Sequence, residues 1–174
     1  MIISLSSIQG TVLNIVCIIF IHLFGSWMCL KLPRNCFEGN NVLFQTFGWE
    51  AEGKFYRFIK VKEWKEFLPD GAKLFKSGFQ KKRLKEKNEQ YFSEFVLETK
   101  RAELTHYVSF LPLCFFFIWN PIEAFLLIII YGVLANAPCI IVQRYNRIRF
   151  GKIVRKIKQK KKSVLHNSSS NINY

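Results

Sequence analysis

The sequence predicts an all-α integral membrane protein: about three transmembrane helices, an amphipathic interfacial segment and a basic cytoplasmic tail. Three observations carry that expectation. No Lys, Arg, Asp or Glu occurs from Met1 to Leu30, and Glu123 is the one such residue from Leu104 to Gln143. A bilayer demands uncharged stretches of this length, whereas a soluble fold rarely affords them. Half of the 174 residues are hydrophobic and 18 are phenylalanine, yet the formal net charge is +14. All 26 basic residues lie in two blocks, 16 between Lys31 and Arg101 and 10 between Arg144 and Lys162.

This composition excludes several classes. Disorder requires low hydrophobicity. A disulfide scaffold is excluded by five cysteines, an odd number without regular spacing. Cys17, Cys29, Cys114 and Cys139 fall in apolar runs, where a thiol behaves as a small hydrophobe. No Cys/His pattern with metal-ligand spacing occurs, so no metal is expected.

The first span is expected over Ile8 to Leu30, within an anchor domain 1–31. Its flanks lack the basic start and small-residue cleavage site of a secretory leader, so it reads as uncleaved. The second apolar stretch is divided by Asn120-Pro121. Asn120 is a suitable N-cap, Pro121 suits the first helical position, and Glu123 stands where a capping-box carboxylate would. The expectation is a membrane hairpin within 98–147. One span ends near Trp119, and the next runs from Pro121 to about Gln143. Only 13 residues separate His106 from Asn120, so the first of these helices must begin near Phe92 and carry Glu98 to His106 at the interface. Pro112 and Pro138 should kink their helices, with Asn136 satisfying the second kink. His22 reads as an interhelical hydrogen-bonder.

Orientation follows from the positive-inside rule. The tail 148–174 is basic, with a Ser/Asn-rich end expected to be disordered, and belongs in the cytoplasm. The Asn120 turn is then outside, the segment 32–97 inside and the N-terminus outside. In that cytoplasmic segment Lys54, Arg57, Lys60, Lys62 and Lys65 are interleaved with aromatic residues. Gly53 to Leu68 reads as an interfacial amphipathic helix ended by Pro69-Asp70-Gly71, with a strand over Phe58 to Trp64 as the alternative. It either anchors the chain on anionic phospholipid or presents Lys54, Arg57, Lys60 and Trp64 to an anionic or sugar headgroup. The runs Lys81 to Lys85 and Lys160 to Lys162 read as topology signals and lipid contacts rather than nucleic-acid sites.

Chemistry concentrates at two places. On a helix Thr99, Glu103 and His106 share a face, and a carboxylate one turn from an imidazole can orient it as a general base. Gln143, Arg144, Asn146 and Arg147 end the last span, and a hairpin would return them to the same membrane depth. His106 and Glu103 are therefore the catalytic candidates. Arg101, Gln143, Arg144, Asn146 and Arg147 are candidates for binding substrate, with Lys54, Arg57 and Trp64 beside them. Polar groups at this depth commonly mark function.

Glu98-Thr99-Lys100-Arg101-Ala102-Glu103-Leu104-Thr105-His106 and the run from Ala135-Asn136-Ala137-Pro138 to Gln143-Arg144-Tyr145-Asn146-Arg147 resemble the glycosyl-4,4'-diaponeurosporenoate acyltransferases of staphyloxanthin-type carotenoid synthesis. Gly53-Lys54-Phe55, Lys65 after Trp64, and Leu68 to Gly71 with Asp70 are similar too. The likeness spans about residues 45–150. It implies a cell-membrane enzyme that moves a fatty acyl group from a thioester co-substrate to a sugar hydroxyl of a glycosylated carotenoid, without a cofactor. The resemblance supplies no catalytic residues. The His-x4-Asp box of glycerolipid acyltransferases is absent, since Leu111 stands five residues beyond His106. A complex with other carotenoid-pathway enzymes is a possible arrangement. The rival reading is a non-enzymatic membrane protein that binds glycolipid or recruits pathway partners.

Overall fold

The computed structural model describes residues 6–39, 41–68 and 88–170, with side chains as far as Val164. The Pro69-Asp70-Gly71 turn, the Lys81 to Lys85 run and the last four residues lie outside the described residues. Every described element is helical. The chain divides into two compact units, 1–38 with 101–143 and 39–100 with 144–174.

The first unit begins with α1, Ser7–Lys31. Ser6 caps it: its Oγ accepts the Gln9 N–H at 3.3 Å, and the Gln9 side chain accepts the Ser6 N–H at 3.2 Å. Twenty-five residues at 1.5 Å each give about 37 Å, enough to cross the hydrocarbon core. Ile8, Ile15, Val16, Ile19, Phe20, Leu23 and Trp27 are exposed along it, the pattern of a helix whose solvent is lipid.

A second helix, α6 (Ile122–Ser170), contains the other stretch long and apolar enough to cross a membrane. Between the two, the expected single span is not one α-helix. The helix α5 (Glu89–Phe110) ends before Pro112, and a 3-10 helix, Leu111–Ile118, completes the stretch. Proline cannot donate the helical hydrogen bond, which favours the change of winding at this point. In contrast, α6 continues through Pro138 without interruption. Asn136 donates to Gly132 O at 2.9 Å, whereas Pro138 frees the Leu134 carbonyl. Asn136 therefore serves another purpose than rescuing the proline.

Asn120 also departs from its expected role as a cap. Its Nδ2 donates to Phe116 O at 2.9 Å and to Asn14 Oδ1 at 2.9 Å, while its Oδ1 accepts from Asn14 Nδ2 at 2.7 Å. Trp119 Nε1 adds a bond to Asn14 Oδ1 at 2.8 Å. Two amides and an indole thus satisfy one another where α1 meets the turn. Asn14→Ala strands these donors, and a detergent-solubilised thermal unfolding series should show a loss of about 1–3 kcal/mol. His22 meets the Tyr131 ring edge-on at 6.3 Å instead, and its Nε2 is buried without a hydrogen-bond partner among the described residues.

In the second unit the expected amphipathic helix is broken into α3 (Lys54–Phe58), α4 (Val61–Trp64) and a 3-10 turn, Lys65–Phe67. A short α2 (Gly48–Ala51) precedes them. Gly53 and Lys60 adopt left-handed backbone at φ 72° and 52°, which ends the helical path on either side of α3. Trp64 Nε1 then reaches back to Ile59 O at 2.9 Å and satisfies a carbonyl that the break frees. The alternative strand is not formed.

The tail expected to be partly disordered is helical as far as Ser170. Phe92, Phe95 and Phe150 form a buried cluster, with Ile153, Val154 and Ile157 packed on it. The Phe95 and Phe150 ring centroids are 4.3 Å apart. One apolar stripe at helical spacing supplies the burial that a lysine-rich segment needs in order to fold, and Arg155, Lys156 and Lys158 stay exposed. Lys161 pairs with Glu89 at 2.6 Å.

Candidate active site

His106 lies on α5 in the first unit and is half-buried. Its Nδ1 stands 3.1 Å from Asn136 Oδ1. The amide orientation settles the chemistry of this contact. Asn136 Nδ2 is directed at the Gly132 carbonyl, so the oxygen faces the imidazole and can only accept. In the neutral imidazole Nδ1 therefore carries the proton and Nε2 the lone pair. That is the arrangement of a general base whose tautomer is set by a neighbour. Sequence spacing points to Glu103 for this role. Glu103 is fully buried and accepts the Tyr107 hydroxyl at 3.0 Å. Arg101, on the same unit, stacks over the Phe37 ring at 5.2 Å, and its carbonyl accepts the Thr105 hydroxyl at 3.0 Å. Gln143 is half-buried at the end of this unit.

The remaining candidates belong to the second unit. Arg144 forms the centre of a buried network. Its guanidinium grips the Glu50 carboxylate with two nitrogens, Nε at 3.2 Å and Nη2 closer still, and Nη2 also donates to Gln45 O at 2.9 Å. The Tyr56 hydroxyl donates to Oε2, the oxygen that Nε also contacts, and the Phe47 N–H donates to Oε1 at 2.9 Å. Burial alone would raise the Glu50 carboxyl. The bonds from Arg144, Tyr56 and Phe47 outweigh it and hold the group below the ordinary carboxylate range. The same burial, and the adjacent carboxylate, push the Tyr56 hydroxyl up. With its fork occupied by Glu50, Arg144 holds the fold of this unit together.

Arg147 is buried too, but it lines a cleft of about 350 Å³ with Gly39, Asn41, Phe44, Gln45, Thr46 and Lys100. Both Lys100 and Arg147 lie against the Phe44 ring, 5.9 Å and 6.0 Å from its centroid. Lys100 Nζ donates to Gly39 O at 3.0 Å. Burial, and then the charge of Arg147, hold the Lys100 ammonium below its ordinary range. Asn146 is buried, and its Oδ1 has no hydrogen-bond partner among the described residues.

Lys54, Arg57 and Trp64 do not line this cleft. Lys54 is exposed and pairs with Glu52 at 2.6 Å, Arg57 is exposed, and the Trp64 indole is committed to Ile59 O. Among the described residues no group of His, Cys, Asp and Glu could hold a metal ion. Sequence reasoning missed Asn136 as the partner of His106, Glu50 and Tyr56 as partners of Arg144, and Lys100 beside Arg147. The uncommitted carboxylate in Gly48-Trp49-Glu50 was the signal available for the second, although nothing in its spacing names a partner 94 positions away.

Two apolar helices of spanning length fit a membrane protein. Residues 40–156 match the family described as glycosyl-4,4'-diaponeurosporenoate acyltransferase. Relatives of that name from Staphylococcus aureus strains MRSA252 and Newman are 35% identical to this chain, and that from strain bovine RF122 / ET3-1 is 34% identical. Each alignment covers 131 residues, 75% of this chain and 79% of the relative. No solved structure matches. The chain is an acyltransferase, and it belongs to the glycosyl-4,4'-diaponeurosporenoate acyltransferase family.

Proposed function

We propose that this chain transfers a fatty acyl group from a thioester to a sugar hydroxyl of a glycosylated carotenoid, completing a staphyloxanthin-like pigment. The reaction takes place at the cytoplasmic leaflet of the cell membrane. The observation that carries the mechanism is the contact between His106 and Asn136, which leaves the lone pair on Nε2. Nε2 takes the proton of the sugar hydroxyl as its oxygen attacks the thioester carbonyl. The C–S bond breaks as the C–O bond forms, and the proton passes from the imidazolium to the departing thiolate. Arg101 supplies positive charge to the oxyanion. Glu103 supports the helix that carries both, through Tyr107.

The relatives' name supports the acceptor, since it specifies a glycosylated diaponeurosporenoate. Charge asymmetry supports an outward N-terminus and an inward tail, with the 3-10 segment completing a third crossing. The test is mass spectrometry of lipid extracts from a host that makes the glycosylated carotenoid and cannot acylate it. Expression of this chain should yield a species heavier by one fatty acyl group. Protein present in the membrane without that species would overturn the proposed acceptor.

A further inference from the structure

We infer that Phe47, Trp49, Phe55 and Phe58 form an aromatic edge of the second unit that inserts into the headgroup layer of an anionic membrane. Cations beside the rings hold it there. This docking goes beyond the acyl-transfer reading and does not depend on it.

Folding has built an apolar surface here and left it exposed. Phe47 and Trp49 stack at 6.1 Å with their planes 7° apart, and Phe55 meets Trp49 edge-on at 4.9 Å. Phe58 follows Phe55 by three positions on α3, so the two share a helix face. Trp49 is 60% exposed and Phe58 is 85% exposed. Rings of this size are unfavourable in water, and gathered together they mark a contact surface. The edge is also anchored from within. Phe55 packs on the buried Tyr56 at 5.4 Å, and the Arg144 guanidinium lies 5.0 Å from the Phe47 centroid. The network that satisfies Glu50 therefore supports the exposed rings, and an edge held this way loses little side-chain freedom on docking.

The neighbouring charges decide what covers it. Glu52 is the one exposed acid from Phe47 to Lys60, and three cations surround it. Lys54 pairs with its carboxylate at 2.6 Å, while Arg57 and Lys152 donate to its carbonyl at 3.5 Å and 3.1 Å. Lys60 is exposed just beyond α3. Protein interfaces are depleted in lysine, whereas aromatic rings set among Lys and Arg suit the boundary between anionic headgroups and acyl chains. The Trp49 indole, an apolar body with one N–H, favours the same depth. A membrane is also always within reach. The chain enters this unit at Gly39, eight residues after Lys31 ends α1. So short a tether keeps the bilayer at high effective concentration.

The test uses the full-length protein in nanodiscs of phosphatidylcholine, with or without phosphatidylglycerol. Trp27, Trp64 and Trp119 also fluoresce, so the Trp49 signal is taken as wild type minus Trp49→Phe. Lipids brominated high on the acyl chain and acrylamide in the buffer serve as the two quenchers. Trp49 should be quenched by brominated lipid in discs with phosphatidylglycerol and shielded there from acrylamide. A basic residue at such a surface is worth about a factor of five. Arg57→Gln combined with Lys60→Gln should therefore lower the docked-to-free ratio about twenty-fivefold, and discs without phosphatidylglycerol should lower it too. Quenching by acrylamide alone places the edge in water and overturns the inference. Protection from both quenchers means that protein, a second copy included, covers the rings, and overturns it equally. Lipid quenching that is the same with and without phosphatidylglycerol also overturns it. Failure here leaves the proposed reaction standing, whereas a chain that docks and transfers nothing removes the reaction alone.

Discussion

Arg144→Ala is expected to be among the most destabilising single substitutions in this protein. It leaves the Glu50 carboxylate, whose side chain is 1% exposed, buried beside Tyr56 without its cation. Removing one partner of such a pair costs about 3–5 kcal/mol, because the remaining charge cannot return to water while the fold persists. The second unit should melt early, read as new protease cleavage between Gly39 and Leu68 and as reduced protein in membranes. Arg144→Lys keeps the charge and loses the two-nitrogen grip, so it should fall between wild type and alanine. The pH dependence has a definite sign. The Glu50 carboxyl is lowered from its ordinary 4.5 in the folded state, so its contribution is fully present above that value. The contribution is lost as pH falls through the lower folded value. Acid should therefore destabilise wild type more than Glu50→Gln. Equal acid sensitivity of the two proteins would remove this role for the pair.

The second large effect is on chemistry. His106→Ala should lower acyl transfer by about a hundredfold to ten-thousandfold, the range for loss of a general base, while the protein accumulates in the membrane as before. Full activity in that variant would sink the assignment of His106. Asn136 acts by positioning. Asn136→Asp is the informative change, since a carboxylate at this place stabilises the imidazolium. The base should then stay protonated to higher pH, and the acid limb of the activity profile should move upward. A purely structural Asn136 would lower protein level or rate without moving that limb.

How much of this was legible beforehand varies from residue to residue. The apolar runs that became α1 and the membrane part of α6 are visible in composition, because a bilayer acts on every residue of a span in the same way. His106 stood out as an imidazole at the end of an apolar stretch. Its partner did not: Glu103 lies three residues away on the same helix, yet the amide that sets the tautomer comes from α6, 30 positions on. Asn120 illustrates the same limit. Local rules make it a cap, but Asn14, 106 positions earlier, offers both a donor and an acceptor and captures the side chain. The segment from Gly53 to Leu68 has helical composition, and the break at Lys60 is stabilised by a Trp64 contact that no periodicity reveals.

The sequence by itself determined that the chain is helical, that two stretches can cross a bilayer, and that its cations are gathered in two blocks. Those properties follow from solvent preference and hydrogen-bonding rules that act residue by residue. Only the tertiary structure decided which cation does what. Arg144 and Arg147 are three residues apart and chemically identical, and both were expected to bind ligand. Arg144 meets Glu50 and becomes part of the fold, while Arg147 shares the Phe44 ring with Lys100 and faces a cleft. A guanidinium takes its role from the group that folding sets opposite it, and that group lies far away in the chain.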